Sequence, residues 1–208
     1  MMHDTTSDWR SERRHRILAA AKELFSQAAF DSVQMDAIAR TAGIGKPTLY
    51  RYFASKEELF LEVFKEALRE LERQVEAALA EETSPPRLLA RMIRAAVSVL
   101  GGQVGALRLL TGDHPDLIVR WRSEFRLRRR PIMDAFRSAI ERGMAEGTFR
   151  AVDLEAVPAM LVGMVRGGLM GADRVGRDRL ADAAVDLVLG GLLQPEAAGR
   201  AGDIAPAP

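Results

Sequence analysis

The sequence predicts an all-α protein in which three short N-terminal helices are joined by a long helix to a larger helical body. Apolar residues recur at spacings of three and four in almost every segment, and no stretch sustains the two-residue alternation of β-branched side chains that marks a strand. Glycine and proline punctuate the chain at helix-length intervals. With 208 residues and 48% hydrophobic content there is ample apolar surface for a buried core.

In RILAAAKELFSQAAF the residues Ile17, Ala21, Leu24, Phe25 and Ala28 line one face of a first helix. MDAIARTAG is a short second helix that stops at Gly43, a residue free to take the left-handed conformation. KPTLYRYF restarts helix with Pro47 in its first turn, where the missing N–H costs nothing. Ser55 and Glu58 then form an S-x-x-E capping box, and Leu59, Val63, Ala67, Leu71, Val75 and Leu79 share one side of a long helix reaching about Glu82. The strongest punctuation, TSPPR at Thr83–Arg87, ends it. Further helices are expected over 87–100, 103–110, 116–142, 154–172 and 177–193. Pro131 predicts a kink or break near Arg129, and Pro158 predicts a start somewhat later than Leu154.

Composition excludes several classes of function. There is no cysteine, hence no disulfide, thiolate metal site or iron–sulfur cluster. His3, His15 and His114 are far apart and match no metal-ligand spacing, so no metal and no cofactor is expected. No pair of carboxylates and no nucleophile with a base suggests an enzyme. The N-terminus lacks an apolar signal region, and no apolar run is long enough to span a bilayer, so the expected location is the cytoplasm and no membrane partner is expected. Net charge is only +1, but from Trp9 to Lys56 nine basic residues face four acids. Such a basic module suits a polyanion.

The motif that carries chemistry is GIGKPTLYRYF. As a phosphate-binding loop of the G-x-x-x-x-G-K-[ST] kind it fails, because Arg40 stands at the first glycine and Pro47 at the final hydroxyl. As a helix-turn-helix it fits: Ala39 is small at the crossing, Gly43 supplies the turn, and Ile38, Ile44, Leu49 and Phe53 lock the pair. At 100° per residue Pro47, Thr48, Arg51 and Tyr52 point away from Leu49 and Phe53, with Tyr50 at the flank. That mixture of hydroxyls, rings and charge suits phosphate oxygens and base edges. An ordinary surface helix, the competing reading, would present Glu, Lys and Gln there.

MDAIARTAGIGKPTLYRYFASKEELF resembles the DNA-binding domain of the tetracycline-repressor (TetR) family of bacterial transcription regulators. The likeness covers about Arg13 to Phe64, with IA, AGI, TLYRYF and SKEELF all in register. It implies a helix-turn-helix domain over 9–55 and a ligand-binding and dimerisation domain over 56–194; the small, proline-rich composition of 195–208 predicts a disordered tail, and a second is expected at 1–8. Lys46, Pro47 and Thr48 would approach bases, Tyr50 and Tyr52 would meet phosphates, and Lys56 would clamp another; Gln34, Gly45 and Arg51 complete the implied DNA-facing set. Where relatives often cap the second helix with Ser or Thr, Gln34 caps poorly, with Asp31 and Ser32 nearby as substitutes.

In the body, methionines and small residues are ordinary core filling or the lining of an adaptable pocket. The resemblance implies an inducer pocket, with Met92, Leu109, Trp121, Phe125 and Met164 as the candidate lining. Six arginines between Arg120 and Arg130 read as a solvated face, or include a pocket arginine for an acidic inducer. Leu161, Val165, Leu169, Ala184, Leu187 and Val188 of the last two helices form the expected homodimer interface, closed as a four-helix bundle. The expectation is thus a homodimeric, non-enzymatic regulator associated with the bacterial nucleoid. It would be a repressor released from a near-palindromic double-stranded operator by a small-molecule inducer, with the long helix as the coupling element. A helical protein-interaction adaptor and a regulator without a small-molecule ligand are the alternatives.

Overall fold

The computed structural model describes residues 5–102, 114–171 and 175–194. Among these are eight α-helices: α1 (Thr5–Gln27), α2 (Met35–Thr41), α3 (Lys46–Tyr52), α4 (Lys56–Glu81), α5 (Pro85–Gly101), α6 (Pro115–Ala145), α7 (Ala156–Met170) and α8 (Arg177–Leu192). A single 3-10 turn, Phe30–Ser32, joins α1 to α2. The helix expected over 103–110, the tail over 195–208 and the candidate pocket residue Leu109 lie outside the described residues. α1 begins at Thr5, inside the segment 1–8 expected as a tail.

The chain divides into two compact units, Met1–Leu68 with Gly102–Arg126 and Arg69–Gly101 with Leu127–Pro208. The division falls inside α4 and not at its start, 55/56, because the first half of α4 supplies core to the first unit. There Phe60 lies edge-on to both Phe25 and Phe30, with ring centroids 5.1 Å apart in each pair. Ile17, Ala21, Ile38, Leu49, Phe53 and Leu59 are buried in the same unit. The capping box forms as expected: the Glu58 N–H donates to Ser55 Oγ at 3.1 Å, and the Ala54 N–H donates to the Glu58 carboxylate at 2.8 Å. Such a cap stabilises a helix start by roughly 1 kcal/mol.

In the second unit α5 packs between its own hydrophobic neighbours on α7 and α8, with Leu88, Leu89, Met92 and Ile93 all buried. Pro85 and Pro86 occupy its first turn, where no intrahelical N–H is needed. α6 ends in a tight reversal at Gly147, φ 70°, which lays the Phe149 ring on Gly143 so closely that a Cβ there would lie 2.1 Å from the ring. Arg142 donates to the carbonyls of Glu82 and Thr83, closing the chain beyond α4.

Two proline expectations resolve differently. α6 runs through Pro131 without the break expected near Arg129. Pro131 and Leu127 are both exposed, so the Leu127 carbonyl that loses its partner can bond to water. α7 starts at Ala156 and not Leu154, which puts Pro158 at the third helical position, where its missing N–H breaks no bond. Asp153 Oδ1 instead accepts from the Glu155 and Ala156 N–H groups at 2.8 and 2.9 Å.

Candidate nucleic-acid interface

The turn between α2 and α3 is built from backbone chemistry. The Ile44 N–H donates to the Ala39 carbonyl at 3.0 Å and the Gly43 N–H to the Arg40 carbonyl at 3.1 Å. This crossed pair terminates α2 with Gly43 left-handed at φ 65°, which a side chain at that position would disfavour. Two residues later Gly45 caps α3, with Pro47 in the first turn. Leu49 and Phe53 are fully buried and fix the roll of α3. Lys46, Pro47, Tyr50 and Arg51 are consequently exposed, while Thr48 and Tyr52 are half-buried at the edges of that face.

Gln34, Asp36, Lys46, Tyr50, Lys56 and Glu57 border one open depression of about 410 Å³. It carries both signs of charge. Lys46 Nζ bonds to the Asp36 carboxylate at 2.7 Å, both side chains being about half exposed. That hydrogen bond, and then the Asp36 charge, raise the Lys46 pKa above the ordinary lysine value, so the ammonium is held protonated. Gln34 caps α2 by its backbone only, and its side chain makes no cap bond. Nor is Asp31 the expected substitute: its carboxylate pairs with His114 Nε2 at 2.7 Å.

Lys56, the implied phosphate clamp, is engaged by its own chain. Its ammonium donates to the carbonyls of Phe30 at 2.9 Å and Val33 at 3.2 Å, reaches that of Asp31 at 3.5 Å, and sits 4.3 Å from the centroid of the Phe30 ring. An ammonium has three donors, and here all are directed at the 3-10 turn. Lys56 is therefore a brace between α4 and the α1–α2 connection. The carbonyls it serves lie more than twenty residues away in sequence, so no local pattern announces them. Asp36 was likewise missed, since its partner Lys46 is separated from it by the turn.

The candidate pocket and dimer residues fall as follows. Trp121 and Phe125 stack in the first unit, centroids 5.3 Å apart, and Phe64 lies 5.0 Å from Trp121. The Trp121 indole N–H is buried and has no hydrogen-bond partner among the described residues. Met92, fully buried, and Met164, half-buried, belong to the second unit. Of the six expected dimer residues, Leu161, Val165, Leu169, Ala184 and Val188 are buried within the single chain. Only Leu187 is exposed, at 69%, and it is joined by Met160 at 70%. Among the described residues no group of His, Cys, Asp or Glu could hold a metal ion, and no helix is long and apolar enough to cross a membrane.

A buried-and-locked α2, a left-handed glycine turn and an α3 with a polar, basic outer face define a helix-turn-helix protein on an all-helical scaffold. Residues 17–63 match the family model for bacterial regulatory proteins, tetR family, and residues 82–192 match the tetracyclin repressor-like C-terminal domain. The chain belongs to the tetR family of bacterial regulatory proteins. It is 38% identical over 86 residues to the HTH-type transcriptional activator FasR of Mycolicibacterium smegmatis, covering 41% of this chain and 39% of that protein. It is 43% identical over 70 residues to the HTH-type transcriptional repressor KstR of Rhodococcus jostii, covering 34% and 32%. The chain thus matches well under half the length of these curated relatives, which are regulators and not enzymes. The crystal structure of FadR from Bacillus subtilis in complex with stearoyl-CoA has the same fold, with a TM-score of 0.67 at 20% identity over 85% of this chain and 98% of that one.

Proposed function

We propose that this protein is a homodimeric, ligand-responsive repressor that occupies a near-palindromic operator through two copies of α3 and is released by an acyl-coenzyme A thioester. The observation that carries the DNA reading is the outer face of α3, where Lys46, Pro47, Tyr50 and Arg51 are exposed on a helix whose roll is fixed by Leu49 and Phe53. Lys46, Pro47 and Thr48 approach base edges, Tyr50 and Tyr52 meet the backbone, and Gly45 lets the backbone come close. Gln34 borders the same face.

The dimer surface is moved from the buried residues to the exposed side of α7 and α8. Gly163, Gly167, Gly190 and Gly191 lie on these helices, and beyond their own helix backbone and chain neighbours none of the described residues comes within 4 Å of an added Cβ. Each costs about 1 kcal/mol relative to alanine in a helix, which a single chain gives no reason to bear. A partner's helices packed closely against these glycines, with Met160 and Leu187 between them, supply the reason.

Acyl-coenzyme A as the ligand class is supported by FadR, whose structure holds stearoyl-CoA. In this chain the Phe64, Trp121 and Phe125 cluster is the proposed wall for the apolar part, and the unbonded Trp121 N–H awaits an acceptor such as a carbonyl. A buried donor without a partner costs roughly 1–3 kcal/mol, which a ligand acceptor would recover. The test is titration of acyl-CoAs of increasing chain length into a complex of the full chain with a duplex from its own promoter. Release by long-chain thioesters but not by free coenzyme A supports the reading. Tight thioester binding that leaves operator affinity unchanged contradicts it, because coupling requires differential affinity for the two states.

A further inference from the structure

The first three turns of α1, Thr5 to Arg16, precede the residues matched by the family model, which begins at 17. From Trp9 onward the first buried side chain of α1 is Ile17, with Arg13 and Arg14 half-buried before it. The chemistry of this part of the helix is distinctive. Trp9 is 38% exposed, and the guanidinium groups of Arg10 and Arg13 lie 5.4 and 4.9 Å from its ring centroid. From Trp9 to Arg16 four arginines face one glutamate.

The placement of this arm is fixed one turn further on. Arg14 bonds to the Glu62 carboxylate at 2.6 Å and lies 5.5 Å from the centroid of Phe53, the residue that caps the C-terminal end of α3. α1 therefore passes the C-terminal end of α3 within the first unit, and at 1.5 Å per residue Trp9 stands about 8 Å along α1 from that crossing. Arg10 is exposed and Arg13 half-buried; guanidinium groups stacked on a ring keep their forks pre-oriented, and a fork matches phosphate oxygens bidentately. A membrane surface would need an apolar stripe, whereas Trp9 is the only large apolar side chain from Trp9 to Arg16.

Resting on the DNA-binding reading above, we propose that Trp9, Arg10 and Arg13 form a second DNA contact, gripping the backbone that flanks the base pairs read by α3. This contact adds affinity and footprint without adding sequence preference. It is tested with the full-length protein on two labelled duplexes, one of random sequence and one enriched from a randomised pool, titrated with KCl. Each lost phosphate contact should lower the log–log salt slope by roughly 0.9. Arg10→Ala, at an exposed position, should remove about one such step per protomer, and Arg10→Ala with Arg13→Ala about two, on both duplexes alike. The Lys double variant should restore the slope, and hydroxyl-radical footprints should shorten at their outer edges in the Ala variants. Unchanged slopes and footprints in both Ala variants, with Lys46→Ala still altering sequence preference, would overturn this contact alone. Binding of anionic vesicles that is lost in the variants while DNA binding persists would also overturn it. Failure of the parent protein to bind either duplex at low salt would overturn the DNA-binding reading with it.

Discussion

Replacing Lys56 with Met separates a brace from a phosphate clamp. Methionine keeps the length and the apolar stem but removes the ammonium that serves the carbonyls of Phe30 and Val33 at 2.9 and 3.2 Å and sits 4.3 Å from the Phe30 ring. Part-buried hydrogen bonds to a charged donor are each worth more than neutral ones, and a cation over a ring adds roughly 0.5–1 kcal/mol at a partly exposed site. Loss of the group takes the ammonium from both carbonyls, of which that of Phe30 keeps the Val33 N–H, and should destabilise the first unit by about 2–4 kcal/mol, a large part of what a domain of this size has. The assay is urea denaturation followed by helical circular dichroism, with DNA affinity measured on protein verified as folded. The folded fraction should bind random DNA with nearly the parent salt slope. A stability loss below about 0.5 kcal/mol together with a fall in that slope would refute the brace and restore the clamp.

Other substitutions test the remaining parts. Leu187→Arg, at an exposed position on α8, should leave helicity intact and convert the dimer to monomer in sedimentation, with loss of operator affinity; an unchanged mass would place the interface elsewhere. Asp36→Asn frees Lys46 and removes a carboxylate from the DNA-facing depression, so affinity for random duplex should rise a few-fold while sequence discrimination falls. Equal change on both duplexes would contradict this. Burial pushes the Glu62 pKa up, but the bonds from Lys65 and Arg14 outweigh it and hold the carboxyl below its usual range. Its contribution is thus full above about pH 4.3 and lost as pH falls through the lower folded value. Glu62→Gln should be less stable at neutral pH and show a shallower acid loss than the parent; parallel curves would show that Glu62 is not linked.

Features governed by one-residue rules were legible in the sequence. Gly43 had to be left-handed, Pro47 had to open a helix, and Ser55 with Glu58 had to cap the next; each is found where the rule puts it. Features that depend on what lies opposite were not. A stripe such as Leu161, Val165 and Leu169 has the same period whether it is buried by its own chain or by a partner, and here its own chain buries it. The open glycines beside it are the better signal, because they are costly and unexplained within one chain. The clamp role of Lys56 was implied by the family resemblance, and the distant carbonyls that engage its ammonium leave no trace in local pattern. The start of α1 was hidden for a different reason: its stability shows in arginines stacked on a tryptophan, and apolar periodicity is blind to that.

The central claim is that the outer face of α3 reads base pairs. Selection of a fully randomised duplex pool by the full-length protein, followed by the same selection with Lys46→Ala and Thr48→Ala, tests it most directly. The account predicts enrichment of two inverted half-sites about 34–36 Å or more apart, with preference relaxed at one or two positions of each half-site in the variants. Enrichment of no sequence at low salt, or of one that neither substitution alters, would contradict it.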